Sequence, residues 1–388
     1  MTSHTADLSV LKASNQIFTY VVVSDIHLGH DRTPTQHIIS SFIRTVLTDA
    51  NKDIHVLFIN GDLFDQQLKL NSEAAQIIIQ FFHKLLDYCY VNGIKLRVLE
   101  GTPSHDWYQS NLLVRLNDVR SQRADLVYHR GLAIENFPEY HKNILYIPDR
   151  WISSQSDLER QVNAAMGKMG LKQVDFAMLH GQCVYQTLGH KTKEFTYDEA
   201  YLHRLVKELI HIGHFHKYSH YDRIIANGSL ERLAHGEEDP KGYVRVSGGQ
   251  WAFIQNPYSY TYKTIKITAK TTLEKLDKII LKLPKGSYVR LYMDALHDFN
   301  HAFKDLQVRY LDYELTRKLK GDSSEGETDT YISDAEDLLQ AAPEFTEINI
   351  YEMLMKSVLA KHQLSPSETE KFYKFSEIFI NAETEASV

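Results

Sequence analysis

Five short segments, each carrying aspartate or histidine beside glycine, follow apolar runs in this chain. They are Ser-Asp-Ile-His-Leu-Gly at 24–29, Gly-Asp-Leu-Phe-Asp at 61–65, Gly-Thr-Pro-Ser-His-Asp at 101–106, His-Gly-Gln at 180–182 and Gly-His-Phe-His at 213–216. Carboxylate and imidazole groups are common ligands of divalent transition-metal cations. Their repeated position after apolar runs predicts strands that end together and bring these groups to one shared metal site.

Strand-like apolar runs alternate with helical patterns through the first 250 residues. Strands are predicted at 17–24, 55–59, 95–99, 174–179, 209–212, 223–226 and 243–246, hairpins at 126–147, and helices at 35–49, 72–90, 107–116 and 155–169. A nearly continuous β-branched run such as 17–24 is typical of a strand covered on both faces. The alternation predicts a layered α/β fold with two packed sheets and helices outside.

The pattern changes after about residue 258. Short strands are predicted at 262–267, 278–283 and 288–293 around a helix at 272–277, and two amphipathic stretches at 348–361 and 367–380. We expect a main domain over 1–258, a small α/β accessory (capping or DNA-binding) domain over 259–320, an acidic linker over 321–340 and a helical partner-binding tail over 341–388. The tail has two open interpretations, which are docking on a partner and packing on the chain's own body.

Composition limits the functional class only loosely. The chain has 388 residues, two cysteines and a formal net charge of −7. Two cysteines cannot form a disulfide framework, and no apolar run approaches the roughly 20 residues of a membrane helix. We therefore expect a cytoplasmic protein that does not enter a membrane. The negative charge and the lack of a basic stripe disfavour strong binding of DNA without a partner.

Local spacing indicates how single segments could hold a cation. Asp25 and His27 are two residues apart at a strand end, so alternation places both side chains on the same side of the chain. His214 and His216 repeat this spacing. The carboxylate of Asp62 has two oxygens and could bridge two ions, and His180 directly follows an apolar run. Each motif alone is weak, and the joint occurrence of all five carries the prediction.

With these residues, the chain resembles the calcineurin-like metallophosphoesterases and, within them, the SbcD-type nuclease subunit of bacterial and phage DNA-repair complexes. The narrower resemblance depends on segments 24–29 and 61–65 and on a later region, with Asn-Gly-Ser-Leu-Glu-Arg at 227–232, His-Gly-Glu-Glu at 235–238 and Lys-Gly-Tyr at 241–243. We interpret that later region as not needed to hold metal, so it separates the nuclease branch from generic phosphatases.

The resemblance implies a layered α-β-β-α sandwich with two divalent cations, expected to be Mn²⁺, with Mg²⁺ as the alternative. The implied ligands are Asp25, His27, Asp62 and His216 for one ion, and Asp62, His180, His214 and Ser104 for the other. His105 would protonate the leaving oxygen, Asp106 would orient His105, and Asp65 would have a supporting place. The chain departs from the family's Gly-Asn-His-Asp pattern, because two extra residues and Ser104 stand before His105.

The implied function is a DNA nuclease, exonuclease or endonuclease, within a DNA repair and recombination complex. Its expected partners are DNA, an SbcC-like coiled-coil ATPase and a second copy of the chain, in the host cytoplasm if a phage encodes it. Two alternatives remain open: a metallophosphatase or cyclic-nucleotide phosphodiesterase on the same scaffold, and a non-catalytic subunit that binds DNA or a partner.

Overall fold

A computed structural model describes residues 17–69, 71–149, 152, 154–187 and 195–320. The predicted linker at 321–340 and the predicted helical tail at 341–388 lie outside the described residues. The described part has an α/β fold with two large sheets in which parallel pairs predominate, as the alternation of strands and helices predicted.

The first large sheet has the strand order β14-β13-β1-β2-β3-β4. Its strands are β1 (Thr19–Val23), β2 (Val56–Asn60), β3 (Lys95–Leu99), β4 (Leu126–His129), β13 (Gly242–Ser247) and β14 (Gln250–Gln255). Strands β1 to β4 run parallel, whereas β13 is antiparallel to β1 and to β14. The carboxyl ends of β1, β2 and β3 therefore lie side by side.

The second large sheet has the order β11-β12-β10-β7-β6-β5. Its strands are β5 (Ala133–Phe137), β6 (Lys142–Ile147), β7 (Phe176–His180), β10 (Ile210–Gly213), β11 (Ser219–Tyr221) and β12 (Ile224–Ala226). Strands β6, β7, β10 and β12 run parallel. The short strands β8 (Gln182–Cys183) and β9 (Thr196–Tyr197) pair with each other outside this sheet.

Helices cover these sheets and follow the strands in the chain. They are α1 (Thr35–Thr45), α2 (Glu73–Asn92), α3 (Pro103–Asp106), α4 (Asn111–Asp118), α5 (Gln155–Met169) and α6 (Glu199–Leu205), with single 3-10 turns at Asp49–Asn51, Pro138–Tyr140 and Val184–Gln186. Ser72 caps α2 and Ser154 caps α5, because each hydroxyl accepts a hydrogen bond from the amide three residues later.

The two large sheets share one buried core, which follows from the alternation of side chains along β1. Tyr20 and Val22 pack with Tyr146 and Met178 of the second sheet. Their neighbours Val21 and Val23 point the other way and pack among residues of α1 and α2. Helices α5 and α6 pack on the second sheet in a separate core. Because both faces of β1 are buried, its sequence is apolar after Thr19.

A small third sheet follows, with three parallel strands β15 (Tyr262–Lys266), β16 (Tyr288–Met293) and β17 (Glu314–Leu319). The accompanying helices are α7 (Leu273–Ile280), α8 (Asp298–His301) and α9 (Phe303–Arg309). This sheet has its own apolar core. It also contacts the loop after β1, since the Tyr262 hydroxyl lies 3.1 Å from that of Thr33. The domain boundaries around residue 258 stay predictions.

Three of the predictions are wrong in whole or in part. The hairpins expected at 126–147 are a single hairpin of β5 and β6, because β4 pairs in parallel with β3 in the first sheet. The helix expected at 107–116 does not begin at Trp107, because Trp107 and Tyr108 have φ angles of 47° and 56°, which end α3 and separate it from α4. The strand expected at 278–283 is helical through Ile280, as the continuation of α7. Within the described residues, no helix is both long and apolar enough to cross a bilayer.

Candidate metal centre

The predicted ligands come from strand ends that meet at one edge of the two sheets. Asp25 lies two residues beyond β1 and Asp62 two residues beyond β2. His180 is the last residue of β7, and His214 directly follows β10. Thr102, which the sequence did not predict as a ligand, lies three residues beyond β3. Because β1, β2 and β3 run parallel to one another, as β7 and β10 do, their carboxyl ends place these polar residues together.

Two glycines allow the sheets to approach closely at this edge. A Cβ atom on Gly61 would lie 2.0 Å from Nδ1 of His180, and one on Gly213 would lie 2.2 Å from Oγ of Ser24. Real Cβ contacts are essentially never this short, so neither position could accept a larger residue without movement. The glycines of the Gly-Asp and Gly-His motifs thus make room for the centre itself.

Strained backbone is concentrated at the same residues. Eight non-glycine residues of the described chain have positive φ, and four of them are predicted ligands: Asp25 at 50°, His27 at 54°, Asp62 at 48° and His214 at 101°. A positive φ costs free energy for a residue with a Cβ atom and persists only where surrounding contacts impose it. Such strain is common at functional sites, and here it turns the side chains toward one another.

Cluster A consists of Asp25, His27 and His216, whose ligand atoms all lie within 4.8 Å of one another. Nε2 of His27 is 3.0 Å from Nε2 of His216, which is 4.0 Å from Oδ1 of Asp25. Two ligand atoms that each lie about 2.1 Å from an ion, at right angles, are about 3.0 Å apart. The two imidazoles therefore have the separation expected of neighbouring ligands on one cation.

Cluster B consists of Asp62, His180 and His214, and its ligand atoms also lie within 4.8 Å of one another. Oδ1 of Asp62 is 3.2 Å from Nε2 of His180, and Oδ2 of Asp62 is 3.8 Å from Nε2 of His27. One carboxylate thus directs one oxygen toward each cluster. This is the geometry required of a group that bridges two ions.

Carboxylates lie behind both imidazoles of cluster A. Nδ1 of His27 is 3.1 Å from Oδ1 of Asp65, and Nδ1 of His216 is 2.9 Å from Oε1 of Glu237. Because an ionised carboxylate only accepts hydrogen bonds, these contacts place the proton of each neutral ring on Nδ1 and leave Nε2 for the cluster. A carboxylate behind a histidine ligand fixes its orientation and increases its basicity.

The region at 227–243, which we interpreted from sequence as unnecessary for metal, contributes to cluster A. Glu237 belongs to it and contacts His216, as does Lys241, whose Nζ lies 3.0 Å from the Glu237 carboxylate. The same ammonium group donates a 2.8 Å hydrogen bond to the His216 carbonyl. The sequence does not single out Glu237 and Lys241, because several other charged residues lie in the same stretch.

Different groups support cluster B. Nδ1 of His180 lies 2.9 Å from the backbone carbonyl of Asn60, at the end of β2 in the other sheet. The Thr102 hydroxyl lies 3.2 Å from Oδ2 of Asp62, and 3.4 Å from both Nε2 of His180 and Nδ1 of His214. Thr102 therefore contacts all three members of the cluster.

Thr102 occupies the place that the sequence predicted for Ser104. The backbone carbonyl of Ser104 accepts a hydrogen bond from Nε1 of Trp107 in the short helix α3. The hydroxyl that lies beside cluster B is that of Thr102, directly after Gly101, and not that of Ser104, directly before His105.

The charged groups of the centre keep the side chain of Asp62 in its carboxylate form. Burial alone would raise the pKa of Asp62, but the charges of His180, His105 and His27 hold it well below the usual range. Burial would likewise lower the pKa of His27, but its hydrogen bond with Asp65 and the nearby carboxylates raise it to about 9. Asp62 and Asp25 also raise the pKa of His180. These buried carboxylates require cations, either imidazolium or metal.

His105 lies beside cluster A, with its ring 5.0 Å from that of His27. Its Nδ1 is 2.5 Å from the backbone carbonyl of Asp65, so Nδ1 carries the proton of the neutral ring. Burial lowers the pKa of His105. Together with His27 and Asp65, His105 forms a third group, cluster C, whose ligand atoms lie close enough to hold an ion.

Asp106 was expected to orient His105, but its contacts are with the backbone. Its two oxygens accept hydrogen bonds of 2.9 Å from the Phe64 amide and 2.7 Å from the Gly101 amide. Burial raises its pKa, and the charges of Glu100 and Asp62 act in the same direction. Asp106 therefore joins the loops after β2 and β3, while the Asp65 carbonyl holds the His105 ring.

The similarity of this chain to known proteins is low. No protein-family model matches the chain, and no curated protein is similar to it in sequence. Among solved structures, TT1561 of Thermus thermophilus is similar over 62% of this chain and 99% of that chain, at 9% identity and a TM-score of 0.41. GAP50, described as the anchor in the inner membrane complex of Plasmodium, is similar over 63% of this chain and 79% of its own, at 16% identity and a TM-score of 0.34. Identities and scores this low carry no argument about activity.

The donor atoms that these clusters bring together fit divalent cations. Imidazole nitrogens suit manganese, iron and zinc, and carboxylate oxygens suit manganese and magnesium. The clusters are largely buried, and the ligand atoms within each lie within 4.8 Å of one another. The outer nitrogens of His27, His216 and His180 face acceptors, as those of metal-binding histidines usually do. The structure therefore contains buried histidine and aspartate groups that can hold metal.

Proposed function

We propose that this chain is a metal-dependent phosphodiesterase that uses two divalent cations, expected to be Mn²⁺, to cleave DNA. The observation that carries the proposal is the position of Asp62, with Oδ1 facing cluster B and Oδ2 facing cluster A. A carboxylate between two groups of histidines is the arrangement that a pair of ions requires. The two sheets packed face to face, with helices outside, support the α-β-β-α sandwich of the metallophosphoesterases as part of this proposal.

When bound, two divalent cations supply Lewis-acid activation of the phosphate and of the attacking water. The chain's own contribution is to hold them. Asp25, His27 and His216 would ligate one ion and His180 and His214 the other, with Asp62 between them. The strained backbone of these loops fixes the ligands before metal binds, so little reorganisation is required.

His105 is the group we assign to the leaving 3′ oxygen. The Asp65 carbonyl holds the Nδ1 proton, so Nε2 is the nitrogen that can carry a second proton and donate it. Its lowered pKa makes the imidazolium a stronger acid but reduces its population at neutral pH. Asp106 has no direct part in this transfer, because the backbone amides engage both its oxygens.

DNA is proposed as the substrate because of the resemblance to SbcD-type nucleases and because the chain continues well past the metal centre. A minimal phosphatase does not need the sheet formed by β15 to β17. The net charge of −7 favours a partner that supplies DNA affinity. We propose a coiled-coil ATPase of the SbcC type, a homodimer and a cytoplasmic setting. Deleting residues 341–388 should abolish binding of that ATPase and preserve cleavage.

Cleavage of end-labelled linear DNA tests the proposed function. Duplex and single-stranded substrates are incubated with and without Mn²⁺, and p-nitrophenyl phosphate is assayed in parallel. We expect shortened DNA products only with metal. Hydrolysis of p-nitrophenyl phosphate without DNA cleavage would instead indicate a phosphatase. Bound metal without either activity would indicate a non-catalytic subunit.

A further inference from the structure

The two metal positions of this centre have unequal support, and the difference begins with their histidines. In cluster A, carboxylates of Asp65 and Glu237 lie 3.1 Å and 2.9 Å from the Nδ1 atoms of the two imidazoles. In cluster B, the Nδ1 atom of His180 meets a neutral backbone carbonyl at 2.9 Å. A carboxylate increases the basicity of an imidazole ligand more than a neutral carbonyl does. The imidazoles of cluster A are therefore stronger ligands than that of His180.

The formal charges differ in the same direction. Each cluster has one carboxylate member, Asp25 in cluster A and Asp62 in cluster B. Asp65 and Glu237 add negative charge behind cluster A, and Lys241 offsets that of Glu237, since its Nζ lies 3.0 Å away. The carboxylate of Asp65 thus remains as additional negative charge in contact with a cluster A ligand, and it attracts a divalent cation to that cluster.

Cluster B also has a neutral oxygen atom beside it, the hydroxyl of Thr102. The Thr102 hydroxyl lies 3.4 Å from Nε2 of His180 and from Nδ1 of His214, and 3.2 Å from Oδ2 of Asp62, so it lies beside the ligand atoms of both cluster B imidazoles. The Thr102 amide donates a 2.5 Å hydrogen bond to Oδ1 of Asp62, which fixes the residue in this position. A neutral aliphatic hydroxyl is a weaker donor to a cation than a carboxylate oxygen, because it carries no net charge.

We propose that the two positions fill in order, cluster A first, and that cluster B binds its ion through the Thr102 hydroxyl only at a higher metal concentration. The consequence of this order for activity rests on the proposed function. Because cleavage needs both ions in that function, it depends on occupancy of the weaker position. The concentration of free divalent cation then sets the fraction of active protein.

Calorimetric titration of the metal-free full chain with Mn²⁺, with free Mn²⁺ followed by electron paramagnetic resonance, tests the proposal. We expect two classes of one ion each, separated by about tenfold or more in dissociation constant. Replacement of the hydroxyl in Thr102→Val should weaken the weaker class by about tenfold and leave the stronger class unchanged. Thr102→Asn, which supplies an amide oxygen, should bind the second ion more tightly than Thr102→Val does.

Ser104→Ala is the matched control, since it removes a neighbouring hydroxyl in the same loop and should change neither class. Two classes of equal affinity in the unmodified protein would overturn the inference. So would a weaker class that is unaffected by Thr102→Val in a protein that remains folded, as judged by its thermal unfolding. If Thr102→Val does not fold, Thr102→Ala takes its place, and an unchanged weaker class in folded Thr102→Ala would overturn the inference as well.

The same samples separate this inference from the proposed function. The inference is supported if two classes of Mn²⁺ site differ in affinity and substitution of Thr102 changes the weaker class. This holds even if the protein cleaves no DNA, in which case only the proposed function fails. Metal-dependent cleavage together with two equal classes would leave the function standing and overturn the ordered filling. In the expected case, the rate of DNA cleavage follows occupancy of the weaker class.

Discussion

Asp62 lies between clusters A and B, which are built in different ways. The histidines of cluster A are held by side chains from loops, with Asp65 following β2 and Glu237 lying between β12 and β13. His180 of cluster B ends a strand of one sheet and is held by the backbone of a strand in the other sheet. Cluster B thus depends on how the two sheets meet, and cluster A on the chemistry of two loops. A pair of metal positions joined by one carboxylate need not be equivalent.

The largest expected effect is on the residue that lies between the two clusters. Asp62→Asn removes the charge and one of the two bridging oxygens, so we expect loss of both ions and a fall in DNA cleavage of about a thousandfold or more. Metal content measured by mass spectrometry and cleavage of labelled DNA would check this. Asp31→Asn, an exposed carboxylate in the loop after β1, is the control and should retain both ions. Retention of two ions by Asp62→Asn would contradict the bridging role.

The next prediction distinguishes a role of His105 in acid catalysis from a role in metal binding. His105→Ala should reduce cleavage by about a hundredfold to ten-thousandfold, which is the usual contribution of a general acid, while both ions remain bound. Parallel measurements of rate and metal content are required. A normal rate would remove His105 from the assigned role. Loss of one ion would indicate that cluster C, and not acid catalysis, explains the position of this ring.

A smaller effect sharpens the contrast between the clusters. Glu237→Gln keeps a hydrogen-bonding group near His216 but removes the carboxylate charge, and should weaken the stronger class of Mn²⁺ sites by about tenfold to a hundredfold. The weaker class should change little. Glu238→Gln is the matched control, because Glu238 is paired with Lys263 of β15 and does not contact the centre. Equal weakening of both classes would show that the clusters are not supported separately.

The smallest effect is a pH dependence of the metal-free protein. His27 has a folded-state pKa of about 9 against about 6.5 when unfolded, so its contribution to stability is fully present below pH 6.5 and is lost as the pH rises through 9. The loss should be on the order of 3 kcal/mol at most. Metal affinity should rise over the same window, because a proton no longer competes for the imidazole.

Thermal unfolding of the chelated and Mn²⁺-loaded protein between pH 6.5 and 9 would show this. The chelated protein should become less stable as the pH rises, and the gain on adding metal should increase. In His27→Asn the decline of the chelated protein should be reduced. A chelated protein that becomes more stable toward pH 9 would contradict the assignment of charge at cluster A.

Much of this architecture could be predicted from sequence because strong local signals agreed. The strand Lys95–Leu99 and the helix Gln155–Met169 have the bounds that their apolar patterns predicted. The helix expected at 107–116 failed because an apolar pattern does not reveal the positive φ of Trp107 and Tyr108. The strand expected at 278–283 failed because the β-branched Ile279 and Ile280 suit either structure, and the amphipathic pattern of α7 prevailed.

The sequence likewise predicted some residues of the candidate centre and missed others. Spacing after strand ends predicted the residues of clusters A and B, because parallel strands deliver their carboxyl ends to one edge. Thr102 was missed because the two inserted residues could lie on either side of the ligand, and only the contacts resolve this. Glu237 was missed because a residue more than 20 positions after His216 has no local signal of its contact with that ring.

Anomalous diffraction at the manganese edge, from crystals of the full chain grown with Mn²⁺, tests the central claim most directly. The account predicts two peaks about 3.5–4 Å apart, on either side of the Asp62 carboxylate. One should lie among Asp25, His27 and His216, and the other among His180, His214 and Thr102. A single peak at cluster C, or no peak within coordinating distance of Asp62, would contradict it.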